Sequence, residues 1–138
     1  MTTNTPFNLQ EQQALAAALD DEYKSHETYQ GVIRDFCPVR PFINIVQAEA
    51  RHISALLALF AKYAVSPPAN AWRDQAPRFA SVHEACMAGV QGEIDSVAIY
   101  ERLLLTTQRP DILEVFRALR SASQDRHLPA FQRCAQRG

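Results

Sequence analysis

Glycine is scarce in this chain, with four in 138 residues, and the eight prolines fall mostly between periodic segments. That pattern disfavours sheets and favours long helices. Cysteine is also sparse: Cys37, Cys86 and Cys134 are odd in number and widely spaced, with no CxxC pair. A zinc ribbon or a rubredoxin-type iron site is thereby excluded. The default expectation is reduced thiols, with Cys86 and Cys134 as small core residues and Cys37 in a turn. No stretch approaches the roughly 18 apolar residues of a membrane span. The start, MTTNTPFNLQEQQ, has neither a basic opening nor an apolar run, so no export signal and a cytoplasmic location are expected. Net charge is −1 with no basic stripe, so neither nucleic acid nor an anionic membrane is expected as a partner. What is present is ordinary for one globular domain, expected over residues 1–138: 47% hydrophobic and 21% charged residues, enough for a core.

Hydrophobic periodicity then predicts four helices. The first spans about 8–36, opened by an Asn8–Glu11 capping box, with Leu15, Leu19, Glu22, His26, Tyr29, Ile33 and Phe36 on one stripe. Cys37 to Arg40 form a short turn, and Pro41 suits the opening of a second helix over 41–64. Its stripe is Phe42, Ile45, Glu49, His52, Leu56, Leu59 and Tyr63. A third helix, over 81–106, carries Cys86, Val90, Glu93, Val97, Tyr100 and Leu104. A fourth, over 110–136, carries Leu113, Phe116, Arg120, Ser123 or Gln124, His127, Phe131 and Cys134, and Pro129 should kink or weaken it just past His127.

The link at 65–80, VSPPANAWRDQAPRFA, is long for a helix connection. Extended, it reaches about 50 Å, enough to return along a helix of on the order of 35–40 Å. Such a crossover makes the second and third helices parallel in a four-helix bundle. Trp72 is expected to anchor the link or to join a dimer contact.

The stripes carry an unusual set of polar residues. Glu22, Glu49, His52, Glu93 and His127 all fall near mid-helix, with His26, Gln124 and Arg120 nearby. Three carboxylates converging in a dry core repel one another and lack solvation, so without a cation at least one should keep its proton. Divalent metals remove both problems, and carboxylate with imidazole suits iron or manganese. An internal echo supports the convergence. Glu22 precedes Tyr29 by seven and Glu93 precedes Tyr100 by seven, while Glu49-Ala-Arg-His52 matches Gln124-Asp-Arg-His127. The halves 8–64 and 81–136 read as two related hairpins.

The order Glu, Glu-x-x-His, Glu, x-x-x-His on four helices resembles the ferritin-like di-iron carboxylate superfamily. DEYKSHETY and NIVQAEARHISAL resemble rubrerythrin-like proteins. His127-Leu-Pro-Ala-Phe131 is similar to the ending of an uncharacterised standalone ferritin-like family. The resemblance implies a ferritin-like four-helix bundle, with Glu22, Glu49, His52, Glu93 and His127 as metal ligands. It also implies two iron ions, or one, with manganese as the alternative. One departure matters, because the superfamily has a glutamate where this chain has Gln124. Three carboxylates leave two divalent ions with a residual charge of about +1. Gln124 can offer a carbonyl oxygen, and a hydroxide or an exogenous anion can supply the charge. The second metal position should then be weaker or draw on His26, and an inward Arg120 would act as a substitute cation.

Plainer readings apply elsewhere. His26 reads as a packed or supporting histidine, and Tyr29 and Tyr100 as core residues with hydroxyls toward the carboxylates. Arg51 and Arg126 lie off the stripe and are expected in surface salt bridges; His83 is expected in solvent. Two functions follow from the residues and the resemblance. One is a homodimeric, rubrerythrin-like oxidase or peroxidase needing an outside electron donor. The other is a degenerate metal-free bundle acting as an interaction or structural protein.

Overall fold

A computed structural model describes residues 6–137; the first five residues, part of the start where no export signal is expected, and Gly138 lie outside the described residues. The described chain is helical, without strands. Helix α1 spans Leu9–Phe36, α2 Phe42–Lys62 and α3 Val82–Leu103. The fourth rod has three parts: α4 over Pro110–Ala122, a π-helical turn over Ser123–His127, and α5 over Leu128–Arg137. The predicted helices 8–36, 41–64, 81–106 and 110–136 are thus each present, with ends moved by up to three residues.

Local chemistry explains the boundaries. The Asn8 side chain accepts from the Glu11 N–H at 2.8 Å, and Glu11 Oε1 accepts from the Asn8 N–H at 3.2 Å, closing the capping box. The Ser81 hydroxyl caps α3 at the Glu84 N–H, and Pro110 opens α4 without losing a helical hydrogen bond. The kink expected near Pro129 takes the form of the π turn. Pro129 has no N–H, and its ring crowds the carbonyl of Asp125. The chain answers by widening the preceding turn, so that the Leu128 N–H bonds Ser123 O rather than the carbonyl four residues back.

Side-chain ties fix the course of the link. Trp72 Nε1 donates to Asp20 at 3.0 Å, Asn70 Nδ2 to Glu27 at 3.1 Å, and Arg78 makes two bonds to Asp35 at 2.7 and 3.0 Å. Those three α1 carboxylates lie seven and eight residues apart, so they share one helical face from mid-helix to the C-terminal end. The link therefore climbs back along α1, and α3 starts beside the end of α1 and runs parallel to α2. Trp72 is the anchor, with Lys24 Nζ 5.1 Å from the centre of its ring.

Two apolar clusters fill the bundle. One contains Leu15, Leu19, Leu56, Phe60, Tyr100 and Phe116; the other contains Tyr29, Val32, Phe42, Cys86 and Phe131. The mid-helix polar residues fall between them. On the first helix Val32, rather than Ile33, is the more deeply buried. At Gly89 a Cβ would stand 2.6 Å from Cδ1 of Phe131, so α3 and α5 can approach only because that side chain is absent. Gly89→Ala should therefore destabilise the fold. Overpacking costs about 1–3 kcal/mol, against about 1 kcal/mol returned by helix propensity; a lowered urea midpoint is the expected reading.

The cysteines depart from expectation. Cys86 and Cys134 are not separate thiols but a disulfide joining α3 to α5, with Cα atoms 5.7 Å apart, a normal spacing for the bond. Cys37 is free and exposed. An odd count without close pairs gave no hint of this bond. The partners meet because one lies near the start of α3 and the other near the end of an antiparallel rod.

Candidate metal centre

Five residues from four rods meet between the apolar layers. Glu22, Glu49 and His52 form one group and Glu49, Glu93 and His127 another; in each, the ligand-type atoms all lie within 4.8 Å of one another. Glu49 belongs to both. The three carboxylates and His127 are at most 4% exposed. The α-helical spacing puts Glu49 and His52 one turn apart on α2, while α1, α3 and the π turn each supply one inward residue.

The hydrogen bonds orient this set. Tyr100 OH donates to Glu22 Oε2 at 2.6 Å, leaving Oε1 to face His52 Nδ1 at 3.1 Å. Tyr29 OH donates to Glu93 Oε2 at 2.5 Å, leaving Oε1 to face His127. Each tyrosine thus serves the carboxylate of the other half, a crossing the seven-residue echo does not reveal. His127 Nδ1 stands 3.1 Å from Glu49 Oε1 and 3.4 Å from Glu93 Oε1, yet neither contact has hydrogen-bond geometry. Both His127 Nδ1 and Glu93 Oε1 are buried without a hydrogen-bond partner. Buried polar atoms rarely stay orphaned. Two of them 3.4 Å apart and not bonded to each other suit a cation held by both.

Electrostatics point the same way. Burial pushes the Glu49 carboxyl well above the usual range, and the neighbouring charges of Glu22 and Glu93 add to it. For Glu22 burial acts upward too, but bonds from Glu49, His52 and Tyr100 outweigh it and hold the group below its ordinary value. The proton of the pair accordingly favours Glu49 over Glu22. Asp21, beside them, is raised to about 7 by burial and by the charge of Glu22, although Ser96 donates to it at 2.7 Å. Burial and the adjacent glutamates also push the Tyr29 and Tyr100 hydroxyls well above 10, so both remain hydrogen-bond donors.

The remaining candidates are placed differently. Gln124 is exposed and belongs to neither group, because the π turn changes which residue shares the face of His127; the buried position is Ser123. His26 is 27% exposed, faces Glu27 at 3.4 Å and stands outside both groups. Arg120 makes no ion pair with the three glutamates, and its buried Nε has no hydrogen-bond partner. It is not a substitute cation for them. Arg51 and Arg126, expected in salt bridges, have none among the described residues.

Two cavities flank the centre. One, of about 270 Å³, lies between α1, α3 and the link, against Asp21, Tyr29 and Phe79. The other, of about 450 Å³, opens between α2 and the fourth rod, against His52 and His127.

The chain is thus a helical bundle with a buried carboxylate–histidine cluster. No family model and no curated protein matches it. Two solved structures share the fold. A hypothetical protein of Methanococcus jannaschii DSM 2661 superposes with a TM-score of 0.84 at 21% identity, over 99% of this chain and 86% of that one. A conserved hypothetical protein of Mycobacterium tuberculosis gives 0.79 at 16% identity, over 92% and 91%. No helix of the described residues is long and apolar enough to cross a membrane.

Proposed function

We propose that the chain is a ferritin-like di-metal protein that binds two iron ions, or manganese in their place, through Glu22, Glu49, His52, Glu93 and His127. The observation that carries this is the pair of three-residue groups sharing Glu49, with Glu93 Oε1 and His127 Nδ1 orphaned between them. In this reading Glu49 would be shared by the two positions, Glu22 and His52 would help hold one ion, and Glu93 and His127 the other. Iron bound there supplies electrons and Lewis acidity toward oxygen or peroxide. The protein's own part is to exclude water, hold the carboxylates and keep the tyrosines as donors. Tyr29 and Tyr100 fix one oxygen of Glu93 and of Glu22, which frees the other for the metal.

A rubrerythrin-like oxidase or peroxidase activity belongs to this proposal, with an outside electron donor, a homodimeric state and a cytoplasmic location. The competing reading, a metal-free interaction bundle, must hold the glutamates with a retained proton and the two histidines, and it leaves Glu93 Oε1 and His127 Nδ1 without hydrogen bonds. Arg120 makes no ion pair with the glutamates, which favours the metal.

Elemental analysis of protein expressed with iron supplied tests the reading. About two iron or manganese ions per chain is the expected content for a centre of this type; a metal-free, fully folded protein would sink it. His52→Ala should retain about one ion, because Glu49, Glu93 and His127 still form a complete group. Loss of both ions in that variant would mean that the two positions do not load independently.

A further inference from the structure

The cavity between α2 and the fourth rod has a use the metal reading leaves open. Arg51-His52 on α2 and Arg126-His127 in the π turn line it together, so the Arg-His echo of the two halves is brought to one place. The two imidazoles stack at its base, 5.8 Å apart and 20° from parallel. Their Nδ1 atoms are turned to the carboxylates, which leaves the opposite ring edges, with Nε2, toward the cavity. A histidine that binds a metal through Nδ1 carries its proton on Nε2 and donates from there. Ala48 and Ala130 leave room above the rings.

Neither arginine is held by a carboxylate partner among the described residues. Arg78 pairs with Asp35, Arg109 with Glu11 and Lys62 with Asp111. Arg51 and Arg126 pair with no carboxylate among the described residues. A lone exposed arginine means little; here two flank one cavity, whose base is the histidine pair. The exposure of Gln124 adds a second argument. With no fourth carboxylate from the fourth rod, two divalent ions keep a charge of about +1. An anion from outside would offset it, and this cavity reaches both histidines.

We propose that the cavity is an oxyanion site, in which Arg51 and Arg126 hold a small carboxylate or phosphate group over the His52–His127 pair. It rests on the metal-centre reading for what the anion does, since the bound group is the missing anionic partner of the centre and marks the class of substrate admitted to it. The arginines and the cavity exist without metal, so the binding step can be tested separately.

The test is calorimetric titration of the whole protein with inorganic phosphate and, separately, with acetate, at low ionic strength without chloride. Metal-depleted and manganese-loaded samples are compared, and metal content is measured alongside. The expected result is one anion per chain, bound more tightly in the loaded sample. Arg51→Gln/Arg126→Gln should weaken binding by about tenfold or more, since bidentate charge-assisted bonds are lost. Measured without added anion, melting temperature and metal content should be unchanged, because both side chains are exposed and neither is a ligand. Arg51→Lys/Arg126→Lys should fall between, keeping charge without the planar fork. Preference for phosphate points to a phosphorylated substrate, and preference for acetate to a carboxylate. No saturable binding of either anion by loaded protein overturns the proposal, as does unchanged affinity in the double Gln variant. Anion binding by protein that takes up no metal overturns the metal reading instead and leaves the cavity assignment standing.

Discussion

Glu49→Ala is expected to reduce metal content from about two ions per chain to none, because no other residue belongs to both ligand groups. His52→Ala leaves one group whole; this change leaves neither. Elemental analysis beside a circular dichroism spectrum separates lost binding from lost folding. A proton count is a second reading. Burial holds the metal-free Glu49 carboxyl well above its usual range, so metal uptake must displace that proton, and affinity should rise with pH. The stability effect has the opposite sign. A buried carboxyl flanked by two others costs free energy that the metal-free fold does not recover, and apolar replacements of buried ionic groups are often neutral or stabilising by about 1–4 kcal/mol. Glu49→Leu should therefore raise the urea midpoint in chelator while abolishing metal binding. Two ions retained by Glu49→Ala would show that Glu49 is not the bridge.

The part of this centre that was legible in the sequence is the part set by helical period. Glu22, Glu49, His52, Glu93 and His127 could be assigned to the interior because each interrupts an apolar stripe at a three- or four-residue step, and their common height followed from the turn positions. Tyr29 and Tyr100 were legible as inward residues, but not their exchange. Which carboxylate each hydroxyl reaches depends on how two hairpins pack, and no local pattern encodes that. Gln124 lies off the inward face for a physical reason. An α-helical count from His127 puts it on the same face, but Pro129 forces a wider turn that gives the face to Ser123. Cys86 and Cys134 each suit a small core position, and their bond depends on the relative height of two rods, which no local pattern encodes. Arg51 and Arg126 lie off the stripes, where sequence distinguishes poorly between a salt bridge and an open cavity wall.

Glu11→Ala should cost about 3 kcal/mol of folding stability at neutral pH, by the usual penalty for stranding one member of a buried ion pair. The carboxylate joins three parts of the bundle. It closes the α1 capping box with Asn8, accepts from Thr107 Oγ1, and accepts from Arg109 Nε at 3.0 and 3.1 Å. Arg109 in turn lies 5.6 Å above the Phe7 ring and 5.4 Å above the Tyr63 ring, and those two rings stack at 4.5 Å. The start of α1, the end of α2 and the α3–α4 turn are thereby tied at one end of the molecule. Glu11 and Arg109 are 5% and 11% exposed, so removing the carboxylate takes a buried charge-assisted pair out of this end of the bundle. Burial raises the Glu11 pKa, but the bonds from Thr107, Arg109 and Asn8 win and hold it below its ordinary 4.5. A depressed pKa contributes stability that is full above the unfolded value and is lost as pH falls through the folded one. The stability gap between wild type and Glu11→Ala, measured by urea unfolding, should therefore be widest near neutrality and close progressively in acid below 4.5. Glu11→Gln keeps an acceptor for Thr107 without the charge and should cost less than Ala. If the gap stayed constant into strong acid, the charge would be irrelevant, and the capping and packing of the side chain alone would hold that end of the bundle.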